Sequence, residues 1–192
     1  MTVIGSAVLD APPESAHLAV LYNHPGERDT LLTRYLAGAV RRGEGAVCVT
    51  AEAGAAGLAA EVAVVPTADS YLRGGVFDAT FMSGYVAELV AAPGDRQCIA
   101  GVLDWFADVD PATYEELFRY ESTLNLLAPT SRHTLACFYD LGVLPAAQVI
   151  NVLRTHPRVV VSGTVWDSPF YDVEQLRPLP LPGSALSKNS AV

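Results

Sequence analysis

A chain of 192 residues, 51% of them hydrophobic, lies in the size range of one domain and carries enough apolar surface for a substantial core. Its 12 Lys and Arg stand against 21 Asp and Glu, a net charge of −9 with an isoelectric point near 4.7. That balance opposes the phosphate backbone of nucleic acid and argues against direct DNA binding. The opening MTVIGSAVLDAPPESAH lacks a basic stretch followed by a long apolar core. No later apolar run approaches the ~18 residues of a membrane span, so the expectation is a cytoplasmic protein with no membrane partner.

Residues 1–15 read as a flexible N-terminal segment, 16–177 as one domain, and 178–192 (LPLPGSALSKNSAV and the residue before it) as a disordered tail rich in Pro and Ser. Within the domain, His17–Tyr22 (HLAVLY) predicts a strand. From Glu27 to Arg42 the positions Leu31, Leu32, Tyr35, Leu36, Ala39 and Val40 make one apolar helical stripe, stopped by Gly43. Strands follow at Ala46–Thr50 and Glu61–Pro66, a helix at Phe77–Ala91, and a strand at Cys98–Trp105. Asp110 and Pro111 open a helix running to Leu127, Thr134–Tyr139 is a strand, and Pro145 starts a short helix that His156-Pro157 ends. Arg158–Val165 is the last strand. The strands are mostly continuous apolar runs and alternate with helices, which predicts an α/β fold: a mostly parallel sheet covered by helices on both faces. Cys48, Cys98 and Cys137 are widely spaced inside strand-like runs, with no CxxC, and read as buried free thiols.

The first strand leads through NHPGERDT into the amphipathic helix, the context of a phosphate loop. Laid on G-x-x-x-x-G-K-[ST], these residues put Asn23 and Arg28 at the glycines, His24 and Gly26 between them, Asp29 at the lysine and Thr30 at the Ser/Thr. An anion thus stands where a phosphate needs a cation. A carboxylate ~5 Å from one phosphate charge, at an effective dielectric of about 20, repels it by roughly 3 kcal/mol. Asp104 ends its strand where a metal-holding aspartate often lies, but with the phosphate partner missing it reads rather as a strand-end or helix-cap carboxylate. His24 reads as an exposed loop histidine ahead of the alternative, an anion contact at the helix N-terminus, and Arg41 and Arg42 as a solvated helix end complementing the dipole.

Tyr35–Glu52 (YLAGAVRRGEGAVCVTAE) resembles the corresponding segment of KaiC-like and RecA-like ATPases, which implies a related fold. More specifically, His17, RRGE at Arg41–Glu44, YES at Tyr120–Ser122, CFYD at Cys137–Asp140, LRTHP at Leu153–Pro157 and SPFY at Ser168–Tyr171 together resemble the MEDS family, the methanogen/methylotroph DcmR sensory domain, a RecA-like family without an intact phosphate loop. The resemblance covers about Ala16 to Tyr171. Ser168 departs from it, the family more often showing Asn before the proline, and the chain lacks the helix-turn-helix of the founding member. The resemblance implies a non-catalytic sensory domain that binds a small, hydrocarbon-derived ligand and signals to a regulatory protein partner, with no cofactor and with homo-oligomerisation plausible from the RecA-like kinship. The alternatives are a ligand-free scaffold for a sensor kinase or anti-sigma factor, and an atypical ATPase using Thr30 and Asp104.

The candidate ligand-binding residues are His17, Glu121, Cys137, Tyr139, His156 and Tyr171. Glu121 falls within the stripe Tyr114, Leu117, Phe118, Leu124 and Ala128, so it should face inward, where a carboxylate must be paired, hydrogen-bonded or protonated. It reads either as a ligand or switch contact or as a structural anchor. His17 and His156 each precede a strand and should lie near the same, amino-terminal sheet edge. Cys137 and Tyr139 share a strand face, lining a pocket or filling a core. Spacing across separate elements is not diagnostic of a metal centre, so these residues are expected to serve hydrogen bonding or a polar ligand, with no metal. Tyr171 follows the last strand, where a carboxyl-end crevice is expected. Glu115 and Glu116 point apart, and no nucleophile elbow, HExxH or Ser-Lys motif is present.

Overall fold

The computed structural model describes residues 8–55, 57–91 and 94–180. Its elements are β1 (Ala16–Tyr22), α1 (Pro25–Arg41), β2 (Gly45–Thr50), β3 (Ala63–Pro66), α2 (Ala79–Ala91), β4 (Gln97–Val102), α3 (Pro111–Leu127), β5 (Thr134–Asp140), α4 (Ala146–Thr155), β6 (Arg158–Val161) and β7 (Thr164–Asp167). They build one seven-stranded sheet of order β3-β2-β4-β5-β1-β6-β7, parallel throughout except for β7. The expected architecture is the one observed.

Why the central strands read as continuous apolar runs is now clear, since β1, β2, β4 and β5 alternate between two covered faces. Leu18, Val20 and Tyr22 of β1, with Ala136 and Phe138 of β5, pack under α1 against Leu31, Leu32, Tyr35 and Leu36. Ala19 and Leu21, with Leu135, Cys137 and Tyr139, face the opposite layer, where α2 and α3 contribute Met82, Val86, Leu117, Tyr120 and Leu124, and α4 contributes Val152. Burying both sides of a parallel strand leaves no polar face to alternate with.

Three boundaries differ from expectation. The run Arg158–Val165 is two strands, because Ser162 (φ 50°) and Gly163 (φ 78°) form a two-residue hairpin turn, making β7 antiparallel. Such a turn needs left-handed backbone at both central residues, and the Ser-Gly pair supplies it. The strand expected to reach Trp105 stops at Val102, and Asp104–Asp108 is a 3-10 turn at the carboxyl edge. The segment expected to be flexible packs from Val8 onward: Val8 bridges Thr164, the Leu9 amide donates to Gly163 O at 3.1 Å, and Leu9 is fully buried. The carbonyls of Pro12 and Pro13 accept hydrogen bonds from Arg96 and Thr134. Residues 1–7 lie outside the described residues, as do 181–192 of the expected tail, whereas Leu179 is buried and donates its amide to Thr123 Oγ1 at 2.8 Å.

Arg41 and Arg42 are exposed at the helix end as expected, but Arg42 also makes specific contacts. It pairs with Glu44 at 2.7 Å and donates to the Asp10 carbonyl, while Arg96 reaches the same carboxylate at 3.0 Å, so the RRGE segment pins the N-terminal strap to α1 and β4. No helix among the described residues is long and apolar enough to cross a membrane.

Candidate functional site

At the carboxyl end of β1 the segment expected to be a degenerate phosphate loop is mostly helix. Only Asn23 and His24 separate the strand from α1, and Gly26, Arg28, Asp29 and Thr30 are helical residues. The helix start is closed by its own side chains. His24 caps it, its Nδ1 accepting from the Glu27 amide at 3.3 Å, and the Glu27 carboxylate accepts from the Asn23 amide at 2.9 Å and from Asn23 Nδ2 at 3.2 Å. Thr30 donates its hydroxyl to Gly26 O within the helix. The Asn23, Glu27 and Arg28 amides, which could have met an anion, are therefore occupied. The reversed charge at Asp29 is a weaker reason than the sequence implied, because Arg28 pairs with it at 2.8 Å and also reaches Asp104 at 3.2 Å. Arg28 thereby fastens α1 to the turn after β4.

Beside that turn lies an open, largely apolar cleft of ≈ 580 Å³, formed by Ala51, Pro66, Thr67, Leu72, Gly74 and Gly75 with Asp104 and Trp105. Behind it stands a chain of rings. Trp105 lies 5.5 Å from Tyr71 and 5.3 Å from Phe77, and these lie 6.0 and 5.9 Å from Tyr120 of α3. No periodicity in the sequence marks this cleft, since its lining comes from irregular segments; the aromatic residues of 71–77 and Trp105 are the signal it offers.

The second site is buried between the sheet and α3–α4. Glu121 projects inward as its stripe predicts, and His17, Cys137, Tyr139 and His156 all converge on it. The Tyr139 hydroxyl donates to Glu121 Oε1 at 2.7 Å. Around Oε2 gather His17 Nε2 at 3.0 Å, His156 Nε2 at 3.3 Å and Cys137 Sγ at 3.5 Å. Two further residues orient the imidazoles. Asn125, one helical turn beyond Glu121, donates its amide to the carbonyls of Glu121 and Thr155, which turns Oδ1 toward His17 Nδ1 at 3.3 Å. His156 Nδ1 lies 2.8 Å from Val152 O. Asn125 was missed because nothing but its i+4 spacing from Glu121 marked it.

Burial would raise the Glu121 carboxyl, but the two imidazoles outweigh it and hold the group well below the ordinary carboxylate range. Burial and then His156 lower His17, against the pull of Glu121, and burial raises the Cys137 thiol and the Tyr139 phenol well above their usual values. The cavity adjoining Glu121 and Tyr139 measures ≈ 20 Å³, enough for a water-sized occupant and too small for an organic molecule. Tyr171 is not part of this group. It follows β7, whose antiparallel course returns the chain to the amino-terminal edge, so it flanks no carboxyl-end crevice; no hydrogen bond among the described residues joins its side chain to the cluster. The three cysteines are all buried and free.

Comparison with solved structures defines the class of fold. A KaiC-like protein of the hyperthermophilic archaeon Pyrococcus horikoshii OT3 superposes with a TM-score of 0.53 at 16% identity, over 78% of this chain and 73% of that one. The chain thus has a RecA/KaiC-like fold. A family profile for MEDS, the MEthanogen/methylotroph, DcmR Sensory domain, matches residues 16–157, and the chain belongs to that family. A comparison with curated proteins finds no match. Of the family-like motifs, His17, YES, CFYD and LRTHP supply every side chain gathered around Glu121.

Proposed function

We propose that the chain is a non-catalytic sensory domain that takes a small, weakly polar organic ligand into the cleft over Trp105 and reports occupancy to a regulatory protein partner. Membership of a sensory family supports a sensory or regulatory role in general. The observation that carries the finer reading is the apolar cleft itself, backed by rings that reach α3 at Tyr120, next to the buried Glu121. A ligand that rotates Trp105 or Tyr71 would press on α3, and a ligand shifts a conformational equilibrium only through such differential contacts. The closed start of α1 supports the absence of nucleotide chemistry, because neither a backbone cradle nor a free cation faces the carboxyl end of β1 among the described residues.

The test is thermal stabilisation of the purified chain by a panel of short-chain and halogenated hydrocarbon derivatives, alongside Mg-ATP. A hit should quench Trp105 fluorescence, read in a Trp166→Phe background, and should lose its effect in Trp105→Ala. Stabilisation by Mg-ATP with turnover lost in Thr30→Ala or Asp104→Asn would overturn the proposal.

A further inference from the structure

The Glu121 cluster carries more acceptors than donors. His156 Nδ1 faces a carbonyl at 2.8 Å, so it must be the protonated ring nitrogen. His17 Nδ1 faces Asn125 Oδ1, whose orientation is fixed by the two carbonyls that the amide nitrogen serves, so it too is a donor. When the imidazoles are neutral both Nε2 atoms are then lone pairs aimed at the same carboxylate oxygen, so an ionised Glu121 requires positive charge between them, either protons on Nε2 or a bound cation. His156 Nε2 is buried and has no hydrogen-bond partner, its approach to Glu121 lacking hydrogen-bonding geometry. Tyr139 already satisfies Oε1 and leaves Oε2 directed into the group. Three acceptors and a thiol around one point describe a place for a cation.

We propose that His17 Nε2, His156 Nε2, Glu121 Oε2 and Cys137 Sγ form a closed four-ligand site for a divalent transition-metal ion of the zinc class. The four ligand atoms lie within 4.8 Å of one another. Four of their six separations are 3.0, 3.3, 3.5 and 3.6 Å. A tetrahedron with metal–ligand bonds of 2.0–2.3 Å has edges of about 3.3–3.8 Å, so small side-chain movements complete it. Each histidine donates its other ring nitrogen to a fixed acceptor, the usual support of a ligating imidazole. Nitrogen and sulfur donors select zinc, cobalt or similar ions over magnesium and calcium. Charge also selects: carboxylate and thiolate bring two negative charges and the imidazoles none, so a divalent ion makes the buried group neutral. On binding, the Cys137 thiol forms a sulfur–metal bond and releases its proton to solvent, as does any proton held between Glu121 and the imidazoles. With four protein ligands the ion ties β1, α3, β5 and the end of α4 into one unit, and offers no open position for catalysis.

The full chain, stripped with chelator, is titrated with Co²⁺. About one equivalent should bind with intense visible bands of tetrahedral cobalt and a sulfur-to-metal absorption, and Zn²⁺ should displace it and raise the melting temperature. Cys137→Ser should lose the sulfur band. Asn125→Ala, which keeps all four ligands, should bind about 10–100-fold more weakly. Circular dichroism checks each fold; if Cys137→Ser fails to fold, the wild-type sulfur band and the Asn125→Ala affinity decide. A folded wild-type chain that gives no cobalt bands, or a folded Cys137→Ser with the wild-type spectrum, overturns the proposal. The outcome is separable from the organic-ligand reading, because Trp105→Ala should leave the cobalt spectrum unchanged.

Discussion

Tyr139→Phe isolates the anchoring of Glu121. Both side chains are buried, the hydroxyl donates to Oε1 at 2.7 Å, and the ring packs edge-on to His156 at 5.6 Å between centroids. Phenylalanine keeps that packing, so the substitution deletes one hydrogen bond and leaves a buried carboxylate oxygen without its donor. Hydrogen bonds to charged groups contribute about 1.5–3 kcal/mol, and the expected loss is about 2 kcal/mol. For a chain of this length that corresponds to a fall of about 4–8 °C in melting temperature. Urea denaturation in the presence of chelator measures it directly. In a Glu121→Gln background the same change should cost about 1 kcal/mol or less, because the acceptor is neutral. Equal losses in the two backgrounds, or a loss under about 0.5 kcal/mol in the wild type, would refute the placement of an ionised carboxylate here.

Gly101→Ala should destabilise by about 1–3 kcal/mol in the same denaturation assay, since its Cβ would strike the Tyr71 hydroxyl and tilt the rings behind the cleft. Arg28→Ala removes partly exposed pairs to Asp29 and Asp104 and should cost about 1 kcal/mol, with still no melting shift from Mg-ATP because His24 and Glu27 keep the helix start closed. Alkaline pH should unfold the chain through its thiols. Burial raises Cys98 to about 11 and Cys48 to about 12, whereas an unfolded thiol releases its proton at about 8.5. Above that value the unfolded state binds fewer protons, so stability falls as pH rises toward 11 and 12; urea midpoints measured from pH 8 upward should decline, and Cys98→Ala should flatten the curve.

The sheet and its layers were legible because two-sided burial writes itself as continuous apolar runs, and because Pro111, Pro145 and Pro157 punctuate the helices in positions that proline restricts. The misjudged elements have two causes. Val159, Val160 and Val165 are apolar on both sides of Ser162-Gly163, so hydrophobicity ran straight through a hairpin that only this turn dipeptide marked. The strap 8–15 has no periodicity, and its order derives from partners distant in sequence, Arg42, Arg96 and Gly163, which a local pattern does not contain.

The same distinction between local and distant signals explains the site. Glu121 was visible, since a carboxylate in an apolar stripe contradicts its helix and demands partners. Which partners it has depends on register: β1 aligned beside β5 sets Ala19 next to Cys137, α4 returns His156 against His17 at 4.1 Å between rings, and α3 crosses above them. None of these relations is a spacing along the chain. Helices hold two ligands at i and i+4, and loops hold CxxC, because one element places both; here four elements each place one. A site assembled in that way resists detection by motif but responds to any movement among its elements. If α3 shifts when Trp105 is covered, Glu121 moves relative to His17 and Cys137, which the paired strands β1 and β5 hold in register, and that geometry becomes the readout of the cleft.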